Sequence, residues 1–218
     1  MKISPQKIAL TLIWVAFVLY GFVLAPDDHG DTMAQIKALA ALQGEPLSVA
    51  LFNVLGFVPM LYLFLLIPDG RGQRVPSWPF AVLMFALGGF VLLPYLILRS
   101  PHGERPAGPP SFAQRAFDSR GLAVAVALAT LGVLGAGLAF GHVGVFVDEW
   151  RHVRLLHVSG IDFLLCSVLF MVLVDDDMKR RGLPPRGPLW AVSRIPLFGL
   201  MAYIIGRPTL AAARPDGA

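Results

Sequence analysis

The chain has 218 residues, of which 56% are hydrophobic and only 15% charged, and it has a formal net charge of +4. Soluble domains are nearer one quarter charged, so the composition excludes an ordinary soluble protein. The basic balance does not indicate nucleic acid, because basic loops are the usual topological signal of a membrane protein. We therefore expect the lipid bilayer as a partner and no nucleic acid.

Six apolar stretches have, or nearly have, the ~20 residues that a helix needs to cross a bilayer. Four are uncharged, and the last two contain one formal charge each, Asp162 and Arg194. The sequence therefore predicts an all-α polytopic membrane protein, a bundle of about six transmembrane helices. The predicted spans are 8–26, 48–68, 77–98, 121–146, 155–174 and 188–206.

The first span resembles a secretory signal peptide, since Lys2 and Lys7 precede an apolar run. However, Pro26 would follow the cleavage site, and the run is longer than the usual core of a signal peptide. We therefore expect an uncleaved first helix. Beyond it, the segment Met33–Leu42 predicts a short amphipathic helix at the membrane surface.

Residues 100–120 form the longest predicted loop, with four prolines and several charges. This loop predicts a boundary between two halves of three helices each, residues 1–99 and 121–218. Mid-span prolines at Pro59, Pro94 and Pro196 are interpreted either as packing kinks or as hinges at a binding site.

The charges of the loops do not determine the orientation of a six-helix bundle. Six spans place eight Lys and Arg residues on one side of the membrane and nine on the other, which the positive-inside rule cannot resolve. Lys2 and Lys7 before an acidic segment favour a cytoplasmic N-terminus. The Arg-, Ala- and Gly-rich composition predicts a bacterial source, hence an inner or intracytoplasmic membrane.

Three charged or amide side chains lie inside predicted spans, namely Asn53, Asp162 and Arg194. An intramembrane carboxylate is costly and usually faces the bundle interior. Asp162 and Arg194 enter from opposite faces, so a direct pair is disfavoured and Asn53 is the better partner for Arg194. We expect His157 or Arg154 to hold Asp162, with Ser159 and Cys166 on the same helical face.

No motif in the chain assures a cofactor. His142 and His157 flank one loop and are candidate ligands of a pigment or haem, or proton relays, although interfacial histidines bonded to water or carbonyls are the favoured interpretation. Glu149 and His152 form one ExxH pair, but a di-iron bundle needs two such pairs and two more glutamates. No metal site is predicted. No lysine lies in a span, which excludes a retinal Schiff base.

Two stretches resemble known families. The first comprises Phe52-Asn53, Gly56, Pro59, Tyr62, Leu65–Arg71 and Pro76–Phe80, and it resembles an uncharacterised family of cyanobacterial and plastid membrane proteins. The second comprises Asp162-Phe163, Asp177, Arg181-Gly182, Pro196–Leu200 and Arg207, and it is distantly similar to the abscisic-acid-deficient-type module of the neoxanthin step in carotenoid metabolism. The resemblance implies a photosynthetic or pigment-containing membrane and no catalytic residue.

Three functions compete on the sequence alone. The first is an accessory or assembly protein without catalytic chemistry, which binds carotenoid or chlorophyll or joins a membrane protein complex. The second is a membrane-embedded enzyme of isoprenoid or carotenoid metabolism that uses Asp162 with His157 as catalytic residues. The third is a small proton-coupled transporter with Asp162 as its proton site. The sequence favours the first, so an enzyme is the less favoured class.

Overall fold

A computed structural model describes residues 4–27, 30–101 and 109–210, and all regular structure within those ranges is helical. The helices are α1 Pro5–Leu19, continued by a π-helical turn Tyr20–Leu24, α2 Thr32–Ala40, α3 Pro46–Asp69, α4 Trp78–Leu87, α5 Gly89–Leu98, α6 Phe112–Phe117, α7 Arg120–Phe140, α8 Val143–His152, α9 Arg154–Leu169, α10 Met171–Arg180, α11 Pro188–Val192 and α12 Phe198–Gly206.

Four helical segments of the described chain are long and apolar enough to cross a membrane, which makes the chain an integral membrane protein. They are α1 with its π-helical turn, α3, α7, and α9 together with α10. The all-helical membrane fold is thus confirmed. The predicted count of six spans is not, because the two remaining apolar stretches fold differently.

The predicted span 77–98 folds as a hairpin of two short helices. Gly88 separates α4 from α5. Its backbone has φ +47° and ψ −126°, a conformation that residues other than glycine rarely adopt. Arg99, directly after α5, donates to Asp69 at the end of α3, close to where α4 begins. The chain therefore enters the bundle through α4, turns at Gly88 and returns through α5 to the same membrane face.

The predicted span 188–206 also folds as a hairpin, with its turn near Pro196. Leu197 adopts a positive φ of +57° between α11 and α12. Arg207, directly after α12, donates to Asp177 on α10, and Gly206 lies beside Leu189 of α11. This hairpin therefore also begins and ends at one membrane face. Hydropathy cannot distinguish it from a full span, because a stretch of about twenty apolar residues has the same mean hydropathy whether it forms one crossing helix or two short antiparallel ones.

The two hairpins belong to an internal repeat with an offset of 108 positions, which separates Asp69 from Asp177. With this offset, α3 coincides with α9 and most of α10, while α5 coincides with α12. Helix α8 follows α7 as α2 follows α1. Each half therefore has two membrane-crossing segments, a short helix between them and a closing hairpin.

Both hairpins begin and end at the membrane face where α3 and α10 end. This face is named the ion-pair face. Gln6 of α1 lies there with Arg99, whereas Arg154 at the start of α9 binds carbonyls near the end of α1 at the opposite face. Eleven described Lys and Arg residues of loops and helix ends lie at the ion-pair face, namely Lys7, Arg71, Arg74, Arg99, Arg115, Arg120, Lys179, Arg180, Arg181, Arg186 and Arg207. The opposite face has three, Lys37, Arg151 and Arg154. With the hairpins recognised, the positive-inside rule predicts a cytoplasmic ion-pair face.

Helix α3 is the centre of the bundle, and half of its most apolar window is buried. It packs closely against α7, where a Cβ on Gly137 would lie 3.2 Å from the Pro46 carbonyl oxygen. Gly132 and Gly135 of the same helix face open space instead. Only some of the glycines of this helix are therefore used for close helix packing.

Candidate functional site

Each hairpin is fixed at its base by the same three-residue anchor. In the first, Asp69 accepts hydrogen bonds from the Tyr95 hydroxyl at 2.6 Å and from Arg99 Nε at 2.9 Å. In the second, Asp177 accepts from the Tyr203 hydroxyl at 2.8 Å and from Arg207 Nη1 at 2.7 Å. The tyrosine follows the aspartate by 26 positions and the arginine by 30 in both anchors. The repeat thus extends to individual hydrogen bonds.

Arg180 joins the two anchors. Its Nη2 donates to Asp69 at 2.6 Å, and its Nη1 lies 3.6 Å from Asp177 Oδ1. Around it lies a buried cluster with equal numbers of both charges, Asp69, Asp118, Asp176 and Asp177 with Arg99, Arg180, Arg181 and Arg207. Buried charges are tolerated only when they are paired and hydrogen-bonded. The cluster therefore defines how the helix ends meet.

The carboxylates keep Arg99 and Arg181 charged despite their burial. Burial alone lowers the pKa of Arg99, but its hydrogen bonds and charge attraction to Asp69 and Asp176 outweigh that effect and raise the pKa above its ordinary value. The pKa of Arg181 is raised in the same way by Asp177 and Asp118. Sequence reasoning missed this cluster, because it treated these arginines as loop charges. The equal spacing of aspartate, tyrosine and arginine in the two halves is the signal that identifies it.

The tips of both hairpins dock on α9 in the middle of the bundle. The first N–H of α5, at Gly89, donates to Asp162 Oδ1 at 2.7 Å. Asp162 therefore caps a half-membrane helix from a neighbouring helix. There is no space for side chains here, because a Cβ on Gly88 would overlap Asp162 and one on Gly89 would lie 2.6 Å from it.

The second tip uses backbone instead of a carboxylate. The N–H of Leu197 donates to the Ser167 carbonyl at 2.8 Å, and the Tyr62 hydroxyl donates to the Cys166 carbonyl at 2.6 Å. These carbonyls belong to the last turn of α9, which ends at Leu169 and leaves its final carbonyls without intrahelical donors. The interruption between α9 and α10 thus creates the docking site for this tip.

The predicted partners of Asp162 are wrong. His157 binds the Tyr20 hydroxyl through Nε2 and the Trp150 carbonyl through Nδ1, each at 2.8 Å. Arg154 donates to the carbonyls of Gly21 and Phe22. Cys166 does lie on the Asp162 face, with Sγ 3.6 Å from Oδ1. The true partner is a backbone N–H exposed by the Gly88 break, which no side-chain pattern reveals.

Asn53 and Arg194 do not pair either. The amide of Asn53 donates to the carbonyls of Leu39 and Val49, which ties α2 to α3. Arg194 donates to Asp175 and stacks over the Trp190 ring. The pair was expected because Arg194 was placed inside a full span, whereas it lies at the turn of a hairpin and extends to α10. The disfavoured contact between Asp162 and Arg194 is indeed not formed.

The two candidate cofactor histidines differ in their surroundings. Both ring nitrogens of His157 are engaged, and since Nδ1 faces a carbonyl it must donate there, so Nε2 accepts from Tyr20. That ring has no nitrogen left for a metal. His142 is exposed at the start of α8, and its backbone N–H donates to Glu45. Within the described residues, no three His, Cys, Asp or Glu side chains are grouped to hold a metal ion.

A cleft of about 360 Å³ opens at the ion-pair face, between the start of α1, α10 and the second hairpin. Its walls contain both charged and apolar side chains. They are Gln6, Arg99, Pro101, Met171, Val172, Asp175, Asp176, Lys179 and Arg194. Met171 and Val172 lie deepest along α10, about 14 Å from Asp162 at 1.5 Å per residue.

Comparison with protein-family models, with curated proteins and with solved structures finds no match to this chain. The geometry of the chain itself therefore has to indicate the function.

Proposed function

We propose that this chain is a small membrane transport protein in which the first hairpin is static and the second one moves. One observation supports the proposal most, namely that the N-termini of two half-membrane helices, α5 and α12, both dock on α9 shortly before it is interrupted, and that one of them binds the Asp162 carboxylate. Broken helices that meet at the middle of the membrane are the usual way in which transporters build a binding site. Irregular backbone at this depth is otherwise tolerated only where protein or a water-filled cavity surrounds it.

The proposed path leads from the cleft to Asp162. The tip of the second hairpin, where Leu197 binds the Ser167 carbonyl, lies between them. One backbone hydrogen bond joins that tip to α9, and the partly exposed ion pair of Arg194 with Asp175 joins it to α10. Both contacts break more easily than the buried ionic anchor at Asp177. The second hairpin is therefore the proposed gate, which moves at its tip while its base stays fixed.

Asp162 is the proposed proton site. Its Oδ1 caps α5, and an asparagine side chain can accept the same hydrogen bond from Gly89 without carrying a charge. Asp162→Asn should therefore preserve the fold but abolish proton movement. The measurement uses purified protein in liposomes that contain a pH-sensitive dye, with an imposed potassium diffusion potential.

Asp31→Asn is the matched control, because Asp31 also caps a helix with its carboxylate, but on exposed α2. We expect proton flux of the control to equal that of the unmodified protein. Flux no faster than in protein-free liposomes, or equal flux with and without the Asp162 carboxylate, contradicts the proposal.

The other two functions predicted from the sequence stay predictions. An isoprenoid or carotenoid enzyme would use Asp162 with His157, but the hydrogen bonds of His157 connect it to Tyr20 and Trp150 instead. An accessory protein bound to pigment or to a membrane complex has no specific observation in its favour. Co-purification of pigment or of photosystem subunits from the native membrane would support it.

A further inference from the structure

Arg194 differs from the arginines of the ion-pair cluster in its exposure. Those of the cluster bind one or more carboxylates and are almost completely buried. Arg194 makes one ion pair, with Asp175, and 28% of its side chain is exposed on the cleft wall. A guanidinium that is partly exposed on a cleft wall has N–H groups left to donate to a further acceptor.

The guanidinium is held in place before any ligand arrives. It lies 4.6 Å from the centre of the Trp190 ring, which fixes its plane, and the Asp175 carboxylate fixes one edge. Positioning of this kind lowers the entropy lost when a ligand binds. Arg194 is therefore a built recognition group, in contrast to a freely moving surface cation.

The charge of the cleft favours an anion. Three cations, Arg99, Lys179 and Arg194, face two carboxylates, Asp175 and Asp176. Asp176 is already engaged by Arg99 at 2.6 Å and by Lys179 at 3.6 Å. Arg194 is paired with Asp175, so the surplus positive charge of the cleft lies at the end of Lys179, whose side chain is 68% exposed.

We propose that the cleft binds a phosphate group, with Arg194 as the fixed donor and Lys179 as a flexible second cation. Phosphate offers several acceptor oxygens to the Arg194 donors, and Met171 and Val172 offer an apolar wall to whatever the phosphate is attached to. As the substrate class of the cleft, this inference rests on the proposed transport function. As a binding site it can be tested without transport.

The test is calorimetric titration of the whole chain in detergent with inorganic phosphate, with dihexanoyl phosphatidic acid and with dihexanoyl phosphatidylcholine. We expect saturable binding of the first two and a weaker response to the third. Binding of both indicates that a free phosphate group suffices, whereas binding of phosphatidic acid alone indicates a lipid headgroup as the source.

Arg194→Gln should weaken binding by about tenfold or more, since it removes charged hydrogen bonds. Lys179→Gln should weaken it by about threefold and does not endanger the fold, because the side chain is mostly exposed. Arg115→Gln is the matched control, an exposed charge at the same face outside the cleft, and it should leave affinity unchanged.

The proposed site is overturned if neither inorganic phosphate nor dihexanoyl phosphatidic acid binds saturably. It is also overturned if the Arg194→Gln and Arg115→Gln variants bind with equal affinity. These titrations need no proton gradient. Phosphate binding without proton flux therefore removes the transport proposal and keeps the site, while flux without phosphate binding does the reverse.

Discussion

The two hairpins are alike at their bases and different at their tips. At the base, each has a tyrosine and an arginine bound to one aspartate, at identical spacings of 26 and 30 positions. At the tip, the first hairpin turns at a glycine and meets the side chain of Asp162, whereas the second turns at Leu197 and meets a backbone carbonyl. The two hairpins therefore share the contacts that fix them to the bundle, and they differ in the contacts at their tips.

The two tips also differ in their expected mobility, because different contacts hold them in place. The first tip has a charge-assisted hydrogen bond and lies in a space that excludes any side chain on Gly88. The second tip is joined to α9 by a neutral backbone hydrogen bond, and α11 is only five residues long. We infer that the first hairpin is the static one and the second the moving one.

The largest expected effect is at the bases. Asp69→Asn and Asp177→Asn each leave buried arginines without their counter-charge, which should cost about 3–5 kcal/mol of stability. Asp177 should cost more, because three arginines contact it, against two at Asp69. The measurement is thermal unfolding in detergent, followed by a dye that reacts with the buried Cys166 thiol. A loss below about 1 kcal/mol at Asp177 would contradict the anchoring role of the cluster.

The next effect tests the first tip. Gly88→Ala forces an alanine into φ +47° and places its Cβ on the Asp162 carboxylate, so we expect a loss of about 2–3 kcal/mol. The labelling rate of Cys166 should rise as well, because its thiol contacts the displaced carboxylate. Gly132→Ala on α7, where a Cβ meets open space, is the matched control and should leave stability unchanged or raise it slightly. Equal melting temperatures of the two variants would mean that the tip is not closely packed.

The smallest expected effect tests whether the two anchors at the bases contribute equally to stability. Tyr95→Phe and Tyr203→Phe each remove one hydrogen bond to a buried carboxylate, at a cost of about 1–2 kcal/mol. The two losses should agree, since each tyrosine hydroxyl donates to the Oδ2 atom that also accepts from the arginine of its anchor. The same unfolding measurement tests this, and a clear inequality between the variants would show that the two anchors are not energetic equivalents.

Much of the fold could be predicted from apolar runs alone. The segments that form α1, α3, α7 and α9 were predicted as spans, because a long apolar run with at most one charge has few alternatives to a membrane helix in a chain this apolar. The hairpins were not predicted, since apolar content measures how many residues lie in lipid and not where the chain reverses. Gly88-Gly89 was the local signal of one reversal, but adjacent glycines also occur in helices that continue.

The candidate site was less accessible to sequence reasoning. A buried role for Asp162 follows from the cost of an intramembrane carboxylate, and its place beside Cys166 follows from helical spacing. Its partner, the N–H of Gly89, becomes free only because a helix begins there. The arginines of the cluster resembled loop charges, because their partners are brought together by hairpins that hydropathy does not reveal.

The hairpins have a consequence for the descent of the protein. Because each half crosses the membrane twice and its hairpin does not cross at all, both ends of a half lie on the same side. A second copy joined in tandem therefore enters the membrane with the orientation of the first, and no inversion is needed. Had each half contained three crossings, the copy would have been inserted upside down. One gene duplication with a linker suffices to produce the present arrangement, and the ancestral half could have functioned first as a symmetric pair of separate chains.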